Sequence, residues 1–336
     1  MLQTLRDDIN PLALEDEFYS RPFYFSYSSL GKLMYSPRIF YNQYILKLRE
    51  EKVESHLIEG RVIHALLLDG DKFHEQFVIS PDKLPSENSK AIIDQVYSYA
   101  VTINAHDLDL KSHEQVIIEI LKTVNLHQTL KTDAQRIEKI VTEQNSSYYN
   151  YLREKGSKVV IDMETYQKCR DVVNELLDNK VVRDTLMLDS TGETVVYNEH
   201  KLQGYLHDRP FGIRGIIDNL VINPTDKKVI INDLKSTGKS ISEFKETIEY
   251  YNYWVQAAIY YKLTELFGYS IKDGWTIEFN FIVVDKFNQT CIFKVSDETL
   301  QTWITRLNDL LDKAEYHYTS RNYLLPYEYR DGIYTL

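Results

Sequence analysis

Cysteine is nearly absent from this chain of 336 residues, which has only Cys169 and Cys291. Two thiols build neither a disulfide framework nor a four-thiolate metal cage, and so few suggest a reducing compartment, the cytoplasm. No apolar run approaches the roughly 18–20 residues a membrane helix needs, so no membrane partner is expected. The opening "MLQTLRDDINPLALEDEF" lacks a basic stretch followed by an apolar core, so it does not read as a secretory signal. Positive charge is also short: 39 Lys and Arg against 50 Asp and Glu leave a net charge of −11. That balance argues against a broad nucleic-acid-binding surface but leaves room for a local basic groove. Internal repeats and low-complexity tracts are missing as well.

What is present is ordinary soluble-protein material, 43% hydrophobic and 26% charged, in a chain long enough for a substantial core. The 26 tyrosines fit half-buried surface positions, with a stacking role as the alternative. "YSSLGKLMYSPRIFYNQYI" predicts a helix capped at Ser28 or Ser29 and interrupted or restarted at Pro37. "SHLIEGRVIHALLLDGDKF" predicts a helix over 55–68 that ends near Gly70. Residues 81–156 read as polar helices without a chemical motif. "DMETYQKCRDVVNELLDNKVVRDTL" predicts an amphipathic helix pair capped by Asp162. From Thr191 the texture changes to alternating strands and turns. One long helix then follows, with a Ser240–Glu243 capping box and an end at Gly268. A hairpin and a last helix capped at Ser296 or Asp297 close the chain. The order predicts an α/β (α+β) fold with a central mixed sheet flanked by helices.

The stretch "IIDNLVINPTDKKVIINDLKST" reads as a β-hairpin, yet carries two acids inside its apolar strands. Alternation puts Ile216, Asp218, Leu220 and Ile222 on one face, and Val229, Ile231, Asp233 and Lys235 on one face. With Pro224–Lys227 as the turn, Ile222 pairs near Val229, Leu220 near Ile231, and Asp218 lies opposite Asp233. Opposed like charges destabilise a sheet, so this register needs a cation or a shared proton. A hard divalent ion such as magnesium accepts carboxylates, waters and a phosphate as ligands. The plainer alternative is a solvated strand edge with Lys235 as an ion-pair partner.

Two further positions are ambiguous alone. His64 sits in the apolar helix "GRVIHALLL", where a histidine is more often a hydrogen-bonded core residue than a ligand; Gly60, one turn earlier, leaves room beside it. Tyr253, Gln256 and Tyr260 fall on one helix face by their spacing. A buried Gln there is either a helix–sheet boundary residue or an amide facing a phosphate or base.

Taken together, Asp218, then Asp233-Leu234-Lys235, then Gln256-x-x-x-Tyr260, with Gly60-x-x-x-His64 upstream, resemble the PD-(D/E)XK nuclease superfamily. Within it the match looks closest to RecB-like and phage-recombination exonucleases of the exonuclease VIII (RecE) type. "SYSSLGKLMYSPRIFYNQYI", "EGRVIHALLLDGDKFHEQFVI" and "SKVVIDMETYQKCRDVVNELL" are similar to that group's N-terminal helix, His-bearing helix and pre-sheet helix pair. The resemblance covers 24–80 and 157–295. It implies one nuclease domain over 1–336 with a restriction-endonuclease-like core. Within it, 24–80 are N-terminal helices with the His motif and 81–156 a helical insertion. Residues 157–295 form the nuclease core, and 296–336 a C-terminal helix and tail.

By the same resemblance, His64, Asp218, Asp233 and the Leu234 carbonyl would hold magnesium, or manganese. Asp218, Asp233 and Lys235 would be catalytic, Lys235 acting on the attacking water and on charge in the transition state. Gln256 and Tyr260 would contact DNA, and Glu193, in "GETVVYNEH", would be a second-tier acid. Lys227, Lys228 and Lys239 near the hairpin are candidate phosphate contacts. Two positions depart from the pattern: Asp233 stands where a glutamate is frequent, and Ser36 where some relatives carry a cluster cysteine, so no iron–sulfur cluster is expected. The implied activity is 5′-to-3′ digestion of linear duplex DNA in the cytoplasm, the host's if phage-encoded, leaving 3′ single strands. A single-strand annealing protein as partner and a ring-like homo-oligomer belong to the same picture. Alternatives are a structure-directed endonuclease of the same superfamily and a non-catalytic interaction protein that kept the fold. The joint presence of His64, Asp218, Asp233, Lys235 and Gln256 weighs against the last.

Overall fold

The structure is a computed structural model that describes residues 11–48, 55–188 and 193–334. Its strands, in chain order, are β1 (Tyr24–Phe25), β2 (Phe77–Ile79), β3 (Val159–Ile161), β4 (Val195–Tyr205), β5 (Gly212–Asn223), β6 (Lys228–Ser236), β7 (Thr276–Val284) and β8 (Thr290–Val295). Contacts divide the chain into two compact units, one of residues 1–60 and 176–336 and one of residues 61–175.

The first unit holds a mixed six-stranded sheet, as the pattern predicts. β4, β5 and β6 run antiparallel, β6 and β7 parallel, and β7 and β8 antiparallel, with β1 added parallel to β5. The largely buried helix Tyr253–Leu266 packs on this sheet, with Ala257, Ala258, Ile259 and Leu263 in one core with Ile231, Phe279 and Phe281. The terminal helix Asp297–Ser320 adds Leu307, Leu311 and Ala314 to that core, and its cap is Ser296, whose hydroxyl accepts from the Thr299 amide. The helix expected to be single over 240–268 is two. Its capping box is present at Ser240 and Glu243, but Asn252 adopts φ +56° and breaks the helix between Tyr250 and Tyr253. Asn tolerates that left-handed conformation better than most residues. Ser26, not Ser28 or Ser29, caps helix Tyr27–Tyr35, and Ser29 returns the bond as the third residue of the capping box. Pro37 restarts the chain as a short helix, as expected.

The second unit carries β2 and β3, paired in parallel, and helices Glu87–Thr102, Glu114–Thr123 and Glu143–Lys155. Its own core gathers Ile93, Val96, Ile117, Leu121, Ile140 and Tyr149. The boundaries of this unit, near Gly60 and Glu175, lie outside the expected 81–156 stretch. Helix Ser55–Leu68 has the predicted ends and runs across the first boundary. Among the described residues no helix is long and apolar enough to cross a membrane.

Candidate active site

The β5–β6 hairpin has the predicted register, with Ile222 opposite Val229 and Leu220 opposite Ile231. The regular pairing stops at Asn219–Asn232, one step before the two acids. On that edge β5 next pairs with β1, at Gly212 and Ile213. Arg214 to Asp218 therefore pair with neither strand, and side chains serve this gap instead. Asp218 Oδ2 accepts from the Leu234 amide at 2.7 Å, and the Tyr260 hydroxyl donates to the Ile216 carbonyl. Strand parity also changes here. Ile213 and Ile217 face the core on the near side of Asp218, Leu220 and Ile222 on the far side, and Ile216 is exposed. Ile216 thus does not share the apolar face with Leu220, contrary to simple alternation.

Across β5 on its other edge, the β4 register puts Glu199 opposite Asp218, between the pairs Asn198–Asn219 and His200–Ile217. Glu199 has φ +49°, a left-handed conformation inside a strand. A carboxylate oxygen of Glu199 lies within 4.8 Å of one of Asp218. Backbone strain of this kind, at about 1–3 kcal/mol, is found where a site over-determines the chain.

Asp233 is fully buried, and Lys235 Nζ stands 2.6 Å from its Oδ2. Lys235 thus occupies Oδ2, while Asp233 Oδ1 has no hydrogen-bond partner among the described residues. Burial works against the Lys235 cation, but the charges of Asp233 and Asp218 outweigh it and hold its pKa above the usual lysine value. The Lys235 ammonium also lies 4.9 Å over the Tyr253 ring. Asp218 and Asp233 are both buried, and a buried carboxylate is unfavourable unless a cation or hydrogen bonds balance it.

Helix Tyr253–Leu266 closes the site from the core side. Gln256 Nε2 donates to the Tyr260 hydroxyl at 2.8 Å, and both side chains are buried. The Tyr260 ring lies flat on Gly215, where an added Cβ would come within 2.5 Å of Tyr260 Cε1. Burial first, then the charges of Asp218 and Asp233, push the Tyr260 pKa well above its usual value, so the phenol stays protonated. The Tyr260 hydroxyl is committed to the Ile216 carbonyl, two residues before Asp218 on β5. Gln256 orients Tyr260 in turn, as a helix–sheet boundary residue would.

The opposite face of the sheet carries an asparagine ladder. Asn198 on β4, Asn219 on β5, Asn232 on β6 and Asn280 on β7 follow one another through the strand registers. Asn219 Nδ2 donates to Asn198 Oδ1 at 2.8 Å, Asn232 Nδ2 to Asn219 Oδ1 at 2.7 Å, and Asn280 Nδ2 to Asn232 Oδ1 at 2.9 Å. Asn219 and Asn232 also bond the carbonyls of Leu186 and Thr185 at the end of helix Lys180–Leu186. These two asparagines are the sequence neighbours of Asp218 and Asp233, so the ladder fixes the strands on which both acids stand.

Other expected positions lie elsewhere. Glu193 is exposed and accepts from the Thr225 hydroxyl at the hairpin turn, while Glu199, six residues on, stands opposite Asp218 in the β4–β5 register. Lys228 pairs with Glu278 at 2.8 Å and Lys227 bonds the Asp273 carbonyl. Both stand at the turn end of β6, with Lys228 about 16 Å along the strand from Asp233 at 3.3 Å per residue. Lys239 lies 5.1 Å over the exposed ring of Tyr250. Gly60 abuts the end of β6, where an added Cβ would stand 3.0 Å from Ser236 Oγ. His64, half-buried, is in the second unit on the same helix, one turn beyond.

The family model of the PD-(D/E)XK nuclease superfamily matches residues 24–315. The chain belongs to this superfamily, and it is a nuclease. No curated protein matches it. A crystal structure from Eubacterium rectale, described as a candidate exonuclease, is similar with a TM-score of 0.41 and 14% identity, over 93% of this chain and 86% of that one. A likeness of that size decides nothing further about the activity. Nucleases of this superfamily use divalent metals, and the residues present fit one. The donors at Glu199, Asp218 and Asp233 are hard carboxylate oxygens. Asp233 Oδ1 is a buried acceptor without a hydrogen bond, and carboxylate oxygens of Glu199 and Asp218 lie within 4.8 Å of each other.

Proposed function

We propose that this nuclease is a magnesium-dependent exonuclease of linear duplex DNA that degrades 5′ to 3′ and leaves 3′ single strands for phage-type recombination. The observations that carry the metal reading are the buried Asp233 Oδ1, which has no hydrogen bond, and the Glu199 and Asp218 carboxylate oxygens within 4.8 Å of each other. Asp218 and Asp233 hold the ion, with Glu199, the Leu234 carbonyl and His64 as further ligands; the assignment of His64 rests on the family pattern Gly60-x-x-x-His64. Magnesium or manganese, when bound, supplies Lewis-acid activation of the phosphodiester and of water. Lys235, kept cationic by Asp233 and Asp218, donates to the attacking water or to a phosphate oxygen and offsets charge as it develops. Tyr253 walls the ammonium and limits its exchange with solvent.

The resemblance to RecE-type exonucleases supports the finer parts of the proposal. These are a single-strand annealing partner, a ring-like homo-oligomer, a cytoplasmic location and residues 81–156 as an insertion into one nuclease domain. The test uses linear duplex, labelled at the 5′ or the 3′ end, and closed circular duplex, each with magnesium or with a chelator. Early release of the 5′ label from the linear substrate alone, only with magnesium, is expected. Cutting of the circle would instead indicate a structure-directed endonuclease.

A further inference from the structure

Four tyrosines lead outward from the catalytic lysine. Lys235 Nζ lies 4.9 Å from the Tyr253 ring centroid. Tyr253 stacks on Tyr251 at 5.6 Å with 25° between planes, and Tyr251 meets Tyr250 edge-on at 4.8 Å. Tyr27 flanks Tyr253 at 6.4 Å, and its hydroxyl donates to the Tyr251 carbonyl. Burial increases toward the site: Tyr253 is half-buried, Tyr251 47% exposed and Tyr250 71% exposed. The left-handed Asn252 breaks the helix within this run and separates Tyr250 and Tyr251 from Tyr253. Lys239 lies over Tyr250, at the solvent end of the array.

Tyr250 and Tyr251 leave much of their ring surface open to solvent, where aromatic area adds little to the stability of a fold. A row of rings that starts at a nuclease's catalytic lysine and ends at a second lysine has the composition of a single-strand binding track. Bases stack on the aromatic faces while cations take the phosphates. We propose that Tyr250 and Tyr251, with Lys239, form a stacking platform for the bases of a single-stranded nucleic acid segment beside the scissile phosphate. The platform rests on the nuclease reading and adds a ligand class to it, the nucleobase faces of an unpaired strand. Tyr253 stays with the catalytic lysine, and Lys239 takes a phosphate one step out. The platform is tolerant of sequence, because every base offers a stacking face.

The test measures binding of the whole chain, in chelator, to a labelled 20-nucleotide single strand and to an abasic strand of the same length. Cleavage of linear duplex with magnesium is followed in parallel. Base stacking on an aromatic ring is worth about 1–3 kcal/mol, so Tyr250→Ala and Tyr251→Ala are each expected to weaken binding to the normal strand about tenfold. Tyr250→Phe and Tyr251→Phe are expected to retain wild-type binding. Wild type is expected to bind the abasic strand as weakly as the alanine variants bind the normal one. Unchanged thermal midpoints for the exposed-site variants show that folding is not at issue. Alanine variants that bind like wild type, or phenylalanine variants as weak as alanine, overturn the platform while leaving cleavage by wild type intact. A wild type that cleaves no nucleic acid at any metal concentration overturns the nuclease reading, and the platform with it.

Discussion

The Asp218 carboxylate accepts the Leu234 amide across the gap between β5 and β6, at 2.7 Å. One side chain thus replaces a missing rung of the sheet, opposite Glu199 on the neighbouring strand. Asp218→Asn keeps an oxygen for the Leu234 amide and loses the charge. It should fold with near wild-type stability and lose activity by two orders of magnitude or more, about what removal of a charge-stabilising group costs. Asp218→Ala leaves the buried amide unpaired and should also lose about 1–3 kcal/mol in a denaturant titration. Equal stability of the two variants would show that the amide bond does not hold the gap.

Lys235 is the cation that balances the fully buried Asp233 carboxylate. In chelator, Lys235→Met should lose about 3–5 kcal/mol, the usual effect of stranding a buried charge. Adding Asp233→Asn to that variant should recover most of the loss without recovering activity. A double-mutant cycle read by chemical denaturation measures the coupling; additive losses would contradict the ion pair as described.

The asparagine ladder predicts an effect at a distance from the chemistry. Asn232 bonds Asn219, Asn280 and the Thr185 carbonyl. Asn232→Leu strands three polar partners and should destabilise the fold by at least about 2 kcal/mol. The amides of β5 and β6 on either side of the acids should also lose hydrogen-exchange protection. If exchange at Asp218 and Asp233 were unaffected, the ladder would not be what fixes their strands.

Much of this arrangement was readable in the residue pattern, because the hairpin turn fixes register and period-2 alternation carries it along the strands. Asp218 and Asp233 stood out as charges in apolar strands. Glu199 did not. Its pairing with Asp218 depends on the β4–β5 connection over residues 206–211, whose length gives no unique register, and on a left-handed backbone that a glutamate rarely adopts. "GETVVYNEH" offers two acids, and Glu193 was the nearer match to the family pattern. The role of Tyr260 was hidden for another reason: spacing places it on the face of Gln256, but only the close approach to Gly215 shows that it is a core residue. The helix break at Asn252 was masked by good helix formers on both sides.

His317 gives a pH effect apart from the active site. It is buried, its Nδ1 donates to the Asn322 carbonyl at 2.6 Å, and burial lowers its pKa. As pH falls, the unfolded chain therefore takes up the proton first. The contribution of neutral His317 to stability is full above about pH 6.5 and declines below it. Urea midpoints at pH 7.5 and 5.5 should differ more for wild type than for His317→Gln. An equal difference would place the titration elsewhere.

The central claim is that Glu199, Asp218 and Asp233 share one divalent ion with Lys235 beside it. The most direct measurement is the magnesium dependence of linear-duplex cleavage by wild type and Glu199→Gln. Loss of a ligand that belongs to the site should raise the magnesium concentration for half-maximal activity by about 10–100-fold, as for weakened metal sites generally. A Glu199→Gln variant with the wild-type magnesium dependence would contradict the account.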